Sequence, residues 1–208
     1  MVSRKLCLLS LLTVASLAVP AYSRADVIFE IGNNPQLDEN VLMNSGLTGN
    51  PVFGFTNVSN TQVDFASDED LTQPANGQAR IEGADGLFST LTITSPGNTF
   101  SSIIFNLNAA ANGFVTFSGV DDGGNPFEFA DIAVGGSGQN FMTFTTANNQ
   151  GIASLTITGL DETEFEDIRQ VRVGITGVDI PDVPEPASLA LWLTAMGGVA
   201  LASRRRRR

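Results

Sequence analysis

Between Asp26 and Asp182 the chain has no His, no Cys, no Lys and no Trp, and its one Tyr lies before that stretch, at Tyr22. Each absence closes a class of chemistry. Without His or Cys there is no Ser-His triad, no thiolate nucleophile and no zinc site of the usual ligand set. Without Lys there is no Schiff base and no phosphate-loop lysine. No disulfide can brace the segment, so in an oxidising compartment it stands on packing alone. Cations are scarce as well. Of 11 basic and 22 acidic residues in the whole chain of 208, this segment holds three (Arg80, Arg169, Arg172) and 21, a net charge of −18 against −11 overall. Such a surface repels phosphate backbones, which excludes nucleic-acid binding. The chemistry left for hydrolysis is a pair of carboxylates, as in glycosidases. No spacing selects two carboxylates among the 21, so the segment is read as non-enzymatic, with a carboxylate-pair glycoside hydrolase as the third-ranked reading.

The two ends differ sharply from this middle. Arg4-Lys5, the uncharged run Leu6 to Val19 and the small residues around Ser23-Arg24-Ala25 form the three regions of a secretory signal. Residues 1–25 are therefore expected to be removed by signal peptidase after Ala25, with Ala21 as the second choice. Cys7 leaves with them. At the other end, residues 179–186 form a brief linker ending in Val183-Pro184-Glu185-Pro186, and sixteen uncharged residues follow, Ala187 to Ala202. As a helix these rise about 24 Å at roughly 1.5 Å per residue, slightly less than a bilayer core of about 30 Å. Arginines at the end of a short span snorkel to the headgroups. The transmembrane helix is placed at 187–203, with Arg204, Arg205, Arg206, Arg207 and Arg208 on the cytoplasmic side. Everything upstream is then outside.

Pro184-Glu185-Pro186, an apolar helix and a terminal Arg cluster, in that order, resemble the PEP-CTERM sorting signal of Gram-negative bacteria. The resemblance covers the C-terminal eighth of the chain. It implies recognition by an exosortase-type membrane enzyme, cleavage near the motif and delivery to the cell surface, in species that make exopolysaccharide. Pro184, Glu185 and Pro186 are then substrate residues, and the chemistry belongs to that enzyme.

The middle, residues 26–178, reads as β-structure. Thr90-Leu91-Thr92-Ile93-Thr94 alternates strictly, and similar runs recur at Ser102 to Leu107, Phe114 to Phe117, Phe127 to Phe129, Phe141 to Thr145, Leu155 to Thr158 and Val171 to Ile175. Earlier candidates are Val27 to Ile31, Val52 to Phe55, Val63 to Phe65 and Ala79 to Ile81. Gly, Asn, Asp and Pro clusters punctuate them. Short strands at such spacing predict an antiparallel β-sandwich, jelly-roll-like in topology. The fourteen phenylalanines all fall in this segment and are assigned to the core between the sheets. The acidic stretch Asp161 to Asp167 is expected to make one helical turn.

Two functions fit an exported acidic sandwich. The first is a structural or interaction role at the cell surface or in a matrix of exopolysaccharide or biofilm. The second is a calcium-assisted carbohydrate-binding module. Lacking Trp and Tyr, such a module would rely on Phe, on amides such as Asn148, Asn149 and Gln150, and on carboxylates. No cofactor is required. Calcium, where bound, is expected at Asp121, Asp122 and Asn125, with Asp68-Glu69-Asp70 and Asp161 to Asp167 behind them, because carboxylates and loop carbonyls are its ligands. The alternative for the first cluster is a hairpin turn whose glycines accept positive φ.

Overall fold

Alternating apolar and polar residues place one set of side chains on each face of a strand. The computed structural model, which describes residues 26–43, 45–74, 80–136, 139–148 and 150–177, folds them into fourteen strands with no helix among those residues. The first half carries β1 (Val27–Ile31), β2 (Glu39–Leu42), β3 (Thr48–Gly49), β4 (Val52–Thr56), β5 (Gln62–Ser67), β6 (Leu71–Thr72), β7 (Arg80–Gly83) and β8 (Thr90–Thr94). The second half carries β9 (Phe100–Ala109), β10 (Gly113–Asp121), β11 (Pro126–Val134), β12 (Asn140–Thr146), β13 (Ile152–Leu160) and β14 (Phe165–Ile175). The expected signal peptide, linker, transmembrane helix and Arg cluster lie outside the described residues.

Every pairing is antiparallel. One layer runs β1–β12–β9–β14, and the far edge of β14 is shared by β7, at Asp167 to Arg169, and β2, at Arg172 and Val173. The other layer runs β11–β10–β13–β8–β5–β4. Strand β2 joins the two, bonding β14 through Glu39 and Asn40 and β4 through Val41 and Leu42. On the opposite side a single pair, Ile152 with Phe100, links β13 to β9. The ladders therefore close on themselves, and the all-β fold is sandwich-like with barrel-like closure.

Differences from the sequence reading have local causes. The expected helical turn at Asp161 to Asp167 is absent: Asp161 and Glu162 both take left-handed backbone angles, φ 49° and 64°, and turn the chain straight into β14. The core assignment of the phenylalanines holds for Phe65, Phe88, Phe100, Phe105, Phe117, Phe144 and Phe165, which are fully buried, but Phe53, Phe55 and Phe114 face outward. Phe53 and Phe55 alternate with buried Val52 and Gly54, so they share the solvent face of β4. Gly54 has to be small, because a Cβ there would stand 2.6 Å from the Leu42 carbonyl oxygen.

One aromatic cluster dominates the core. The Phe144 ring centroid lies 5.0 Å from Phe29, 5.1 Å from Phe117, 6.0 Å from Phe105 and 6.1 Å from Phe129. These rings come from β1, β9, β10, β11 and β12 and so tie both layers together. With no disulfide in the domain, that packing is the principal cross-layer restraint. Phe144→Ala is expected to cost about 3–5 kcal/mol in urea denaturation and Phe144→Leu under about 2 kcal/mol, because the first leaves a cavity and the second largely refills it.

Candidate functional site

All three cations of the described residues lie on one face of one layer. Cross-strand register aligns Arg80 of β7, Arg169 of β14, Asn106 of β9 and Phe141 of β12 in a single row. The next row holds Glu82, Asp167 and Asn108, and on the other side Arg172 stands opposite Ile104 and Asn40. Their neighbours Ile81, Ile168, Leu107 and Met142 point into the core, so these residues point away from it.

Regular alternation would not bring Arg169 and Arg172 to the same face, since residues three apart point oppositely. Against β9, however, β14 advances three residues, Arg169 to Arg172, while its partner advances two, Asn106 to Ile104. This extra residue is a β-bulge, with Gln170 at φ 55°, and it turns both arginines outward. Asp167, two residues from Arg169 in regular register, shares its outward face opposite Asn108, and a second register shift between Phe165 and Asp167 lets Phe165 turn into the core instead.

The side chains there form fixed pairs. Arg169 donates from Nε to Asp167 Oδ1 and from Nη2 to Oδ2, both at 2.6 Å, a bidentate fork that sets the guanidinium plane. Asn108 Nδ2 donates to Glu166 Oε2 at 2.7 Å and to Asp167 Oδ2 at 3.3 Å. Arg80 Nη2 meets Glu82 Oε1 at 2.6 Å. Arg172 is bonded to Asn33 Oδ1. Two buried atoms of the row have no partner among the described residues: Arg80 Nε, a donor, and Asn106 Oδ1, an acceptor.

A strap closes one end of this face. Residues 32–38 leave β1, cross β12 and β9 and reach β2. The Gly32 N–H donates to the Phe141 carbonyl at 2.8 Å, and the Asn34 N–H donates to Thr143 Oγ1 at 3.2 Å. Thr143 Oγ1 in turn donates to the Gly32 carbonyl at 2.7 Å, and Ser102 Oγ bonds Asp38. The close approach needs Gly174, where a Cβ would stand 2.5 Å from Ser101 Oγ and 3.3 Å from the Leu37 carbonyl oxygen. Among the described residues the strap's hydrogen bonds reach Phe141, Thr143, Ser102 and Arg172 but not Arg80, Arg169 or Asn106.

Of the residues singled out in the sequence, Asp121 and Asn125 come together as a turn. Both Asp121 carboxylate oxygens accept from Asn125: Oδ1 from its backbone N–H at 2.7 Å and from Nδ2 at 3.2 Å, Oδ2 from Nδ2 at 2.9 Å. Gly124 takes φ 78° and its N–H donates to the Asp121 carbonyl, while Asp122 is exposed. This is the hairpin chemistry of β10 and β11. Among the described residues no three His, Cys, Asp or Glu side chains converge as a metal cage. Asn148 sits in a left-handed turn at φ 58° and donates to Asp26 Oδ2 at 2.8 Å, while Gln150 Oε1 accepts from the Asp26 N–H at 2.9 Å. These amides fasten the start of the domain. Ala25, Asn149, Pro184, Glu185, Pro186 and Arg204 to Arg208 lie outside the described residues.

Three carboxyl groups depart from their ordinary acidity. Burial alone would raise Glu39, but the Ser59 and Val58 N–H groups, at 2.6 and 2.9 Å from Oε2, together with the Ser59 and Thr56 hydroxyls, outweigh it and hold the group below 4.5. Asp68 behaves likewise: burial is outweighed by the Ser89 and Ser67 hydroxyls and by the backbone N–H groups of Asp68 and Thr90. Glu69 is raised, by burial first and then by the hydrogen bond and charge of Asp85 and the charges of Asp68 and Glu164.

Residues 182–208 match the family model of the PEP-CTERM protein-sorting motif, so the C-terminal tail is that motif. No curated protein matches the chain. Among solved structures, CBM29_1, a family 29 carbohydrate-binding module from Piromyces equi, aligns with 73% of this chain and 91% of its own at 11% identity. Its TM-score is 0.33, too low to support a statement about this protein.

The carboxyl groups give opposite pH effects. Glu39, lowered on folding, contributes stability that is present above pH 4.5 and is lost as the pH falls through its folded value. Glu69, raised on folding, favours the folded state most below pH 4.5 and loses that contribution as the pH rises through its folded value. In urea titrations from pH 3 to 7, Glu39→Gln is expected to lose about 1–3 kcal/mol at neutral pH and to flatten the acid limb. Glu69→Gln is expected to gain stability at neutral pH and to leave the acid limb intact.

Proposed function

We propose that this protein is exported as a membrane-anchored precursor and cut at its tail by an exosortase-type enzyme. The acidic β domain then acts at the cell surface or in an extracellular matrix as a structural or interaction element. The observation that carries this reading is the PEP-CTERM motif at residues 182–208. That motif implies an exosortase-type enzyme as partner and an exported chain whose C-terminus is first held in the membrane. In this reading the signal peptide ends at Ala25, and the domain does no catalysis and needs no cofactor.

Composition supports an extracellular setting. The segment has no cysteine to reshuffle, and its net charge of −18 keeps copies apart at low salt. The longest strands carry the core on one face and fixed polar pairs on the other, which suits a durable surface protein with an interaction face. Association with exopolysaccharide or biofilm belongs to the same reading and is supported by the sorting motif alone.

Intact mass tests it in the native host. The supernatant or surface fraction is expected to contain a chain starting at Asp26 and ending near Pro184 to Pro186. Replacing Pro184, Glu185 and Pro186 by alanine is expected to leave the uncut chain in the membrane fraction. Recovery of the unaltered protein only as a species retaining Ala187 to Arg208 would reduce the tail to a plain anchor and end the sorting reading.

A further inference from the structure

Two unmet hydrogen-bonding atoms on the arginine face are of opposite kinds. Asn106 is only 2% exposed and its Oδ1 requires a donor. Arg80 Nε is buried and requires an acceptor. Leaving such groups unmade costs about 1–3 kcal/mol each. They stand in one cross-strand row with Arg169 between them and Phe141 at the end. From Arg80 to Phe141 the row crosses three interstrand steps, about 14 Å at roughly 4.8 Å each. That is room for a short run of sugar rings lying across the strands.

The chemistry of the row selects among ligands. A carboxylate or a phosphodiester accepts from Arg80 Nε but offers nothing to Asn106 Oδ1. An ammonium donates to Asn106 but cannot accept from Arg80. A hydroxyl does both. The charges point the same way: Arg80 is already matched by Glu82 and Arg169 by Asp167, so the two arginines in the row offer a polyanion no uncompensated charge. The surrounding domain, at −18, repels one. The Arg169 guanidinium plane is fixed by its fork to Asp167, Arg80 is held at Nη2 by Glu82, and both keep spare N–H groups for ring and hydroxyl oxygens. Phe141, half-buried, presents an apolar edge of the kind that packs on the C–H face of a sugar.

We propose that the face formed by Arg80, Arg169, Asn106, Asn108 and Phe141 binds an uncharged, hydroxyl-rich polysaccharide chain laid across β7, β14, β9 and β12. This names a ligand class for the interaction role proposed above, yet it stands or falls separately from tail cleavage. Both atoms are closed to solvent in the free protein, so binding has to open the row, and completing both hydrogen bonds offsets that cost. Arg172 and Asn33 hold the strap that bounds the site at one end.

The test uses the full chain, purified in a detergent without a sugar headgroup, in native affinity electrophoresis. The gels contain hydroxyethylcellulose, galactomannan or glucomannan as neutral probes and polygalacturonate as an acidic one. Retardation by at least one neutral probe is expected, weakened tenfold or more in Asn106→Leu and in Arg80→Met. Asn106→Leu also separates binding from folding. It replaces an unmet polar atom with apolar surface, so its Tm is expected to stay level or rise while binding is lost. A lowered Tm with unchanged retardation would make Asn106 a structural residue and overturn the proposal. So would retardation by polygalacturonate alone, by none of the neutral probes, or by a neutral probe when only Phe53→Ala or Phe55→Ala abolishes it. The last result would move binding to the exposed aromatic pair on β4.

Discussion

The pairing of β9 with β14 is the constraint on which the rest of this structure depends. These are the longest strands, ten and eleven residues, and they sit side by side in the middle of their layer. Strand β9 is buried on both faces over most of its length: Ile103, Phe105 and Leu107 face the core, while Ser102, Ile104 and Asn106 face the other way and are equally enclosed. A strand enclosed on both sides cannot slip by one residue without exchanging its two sets of side chains. The polar residues of the outer set make that exchange costly, because each would enter an aromatic core without partners. Register in β9 therefore fixes β12 on one side and β14 on the other, and through β14 both β2 and β7.

With the register fixed, the bulges in β14 decide where charge goes. A regular β14 would have sent one of Arg169 and Arg172 into the core, where an unmatched cation is prohibitive. The extra residue spares the core and gathers the scarce cations on one surface. That surface belongs to a domain with seven times as many acidic as basic residues. Most of the acidic side chains stand where solvent screens them, but Asp167 is 4% exposed and is matched by the bidentate Arg169. Glu39, 1% exposed, is matched by backbone N–H groups of the β4–β5 turn instead. Of the three cations only Arg169 meets a buried carboxylate; Arg80 pairs with the part-exposed Glu82 and Arg172 with Asn33.

Strand existence was legible in the sequence wherever alternation was long and bounded by turn residues. Val27 to Ile31 coincides with β1, and the runs at 102–107, 114–117, 127–129, 141–145 and 155–158 mark the centres of β9 to β13. The short strands β2, β3 and β6 escaped, because two to four residues carry too little period to read and are strands only through their neighbours. The outward phenylalanines escaped for a different reason. Composition cannot say which face of β4 is the core, and Phe53 and Phe55 lie on the opposite face from Val52. The arginine face was invisible for a third reason. Arg80 and Arg169 are 89 residues apart in sequence and meet only through β7–β14 pairing, and Arg172 joins them through a bulge that no periodicity announces. The sequence signal available was the scarcity itself, three cations in a strongly acidic domain. That scarcity excludes nucleic acid but says nothing of where in the fold the three cations lie.

The position of that face along β14 bears on both halves of the functional reading. The last strand ends at Ile175, where it pairs with Phe100, and Thr176 donates to the Thr99 carbonyl at 2.9 Å before the described chain ends at Gly177. The row at Arg169 lies six residues back along the same strand, about 20 Å at roughly 3.3 Å per residue. The described chain thus stops at the end of the sheet that carries the strap, and the row lies toward the opposite end. Cleavage at Pro184 to Pro186 would remove none of the row's residues, since Arg80, Asn106, Phe141 and Arg169 all precede it in the chain. Sorting and recognition are separable by construction: the first is encoded in a terminal peptide and the second in the register of β9 and β14, so a change in either one leaves the other to be measured.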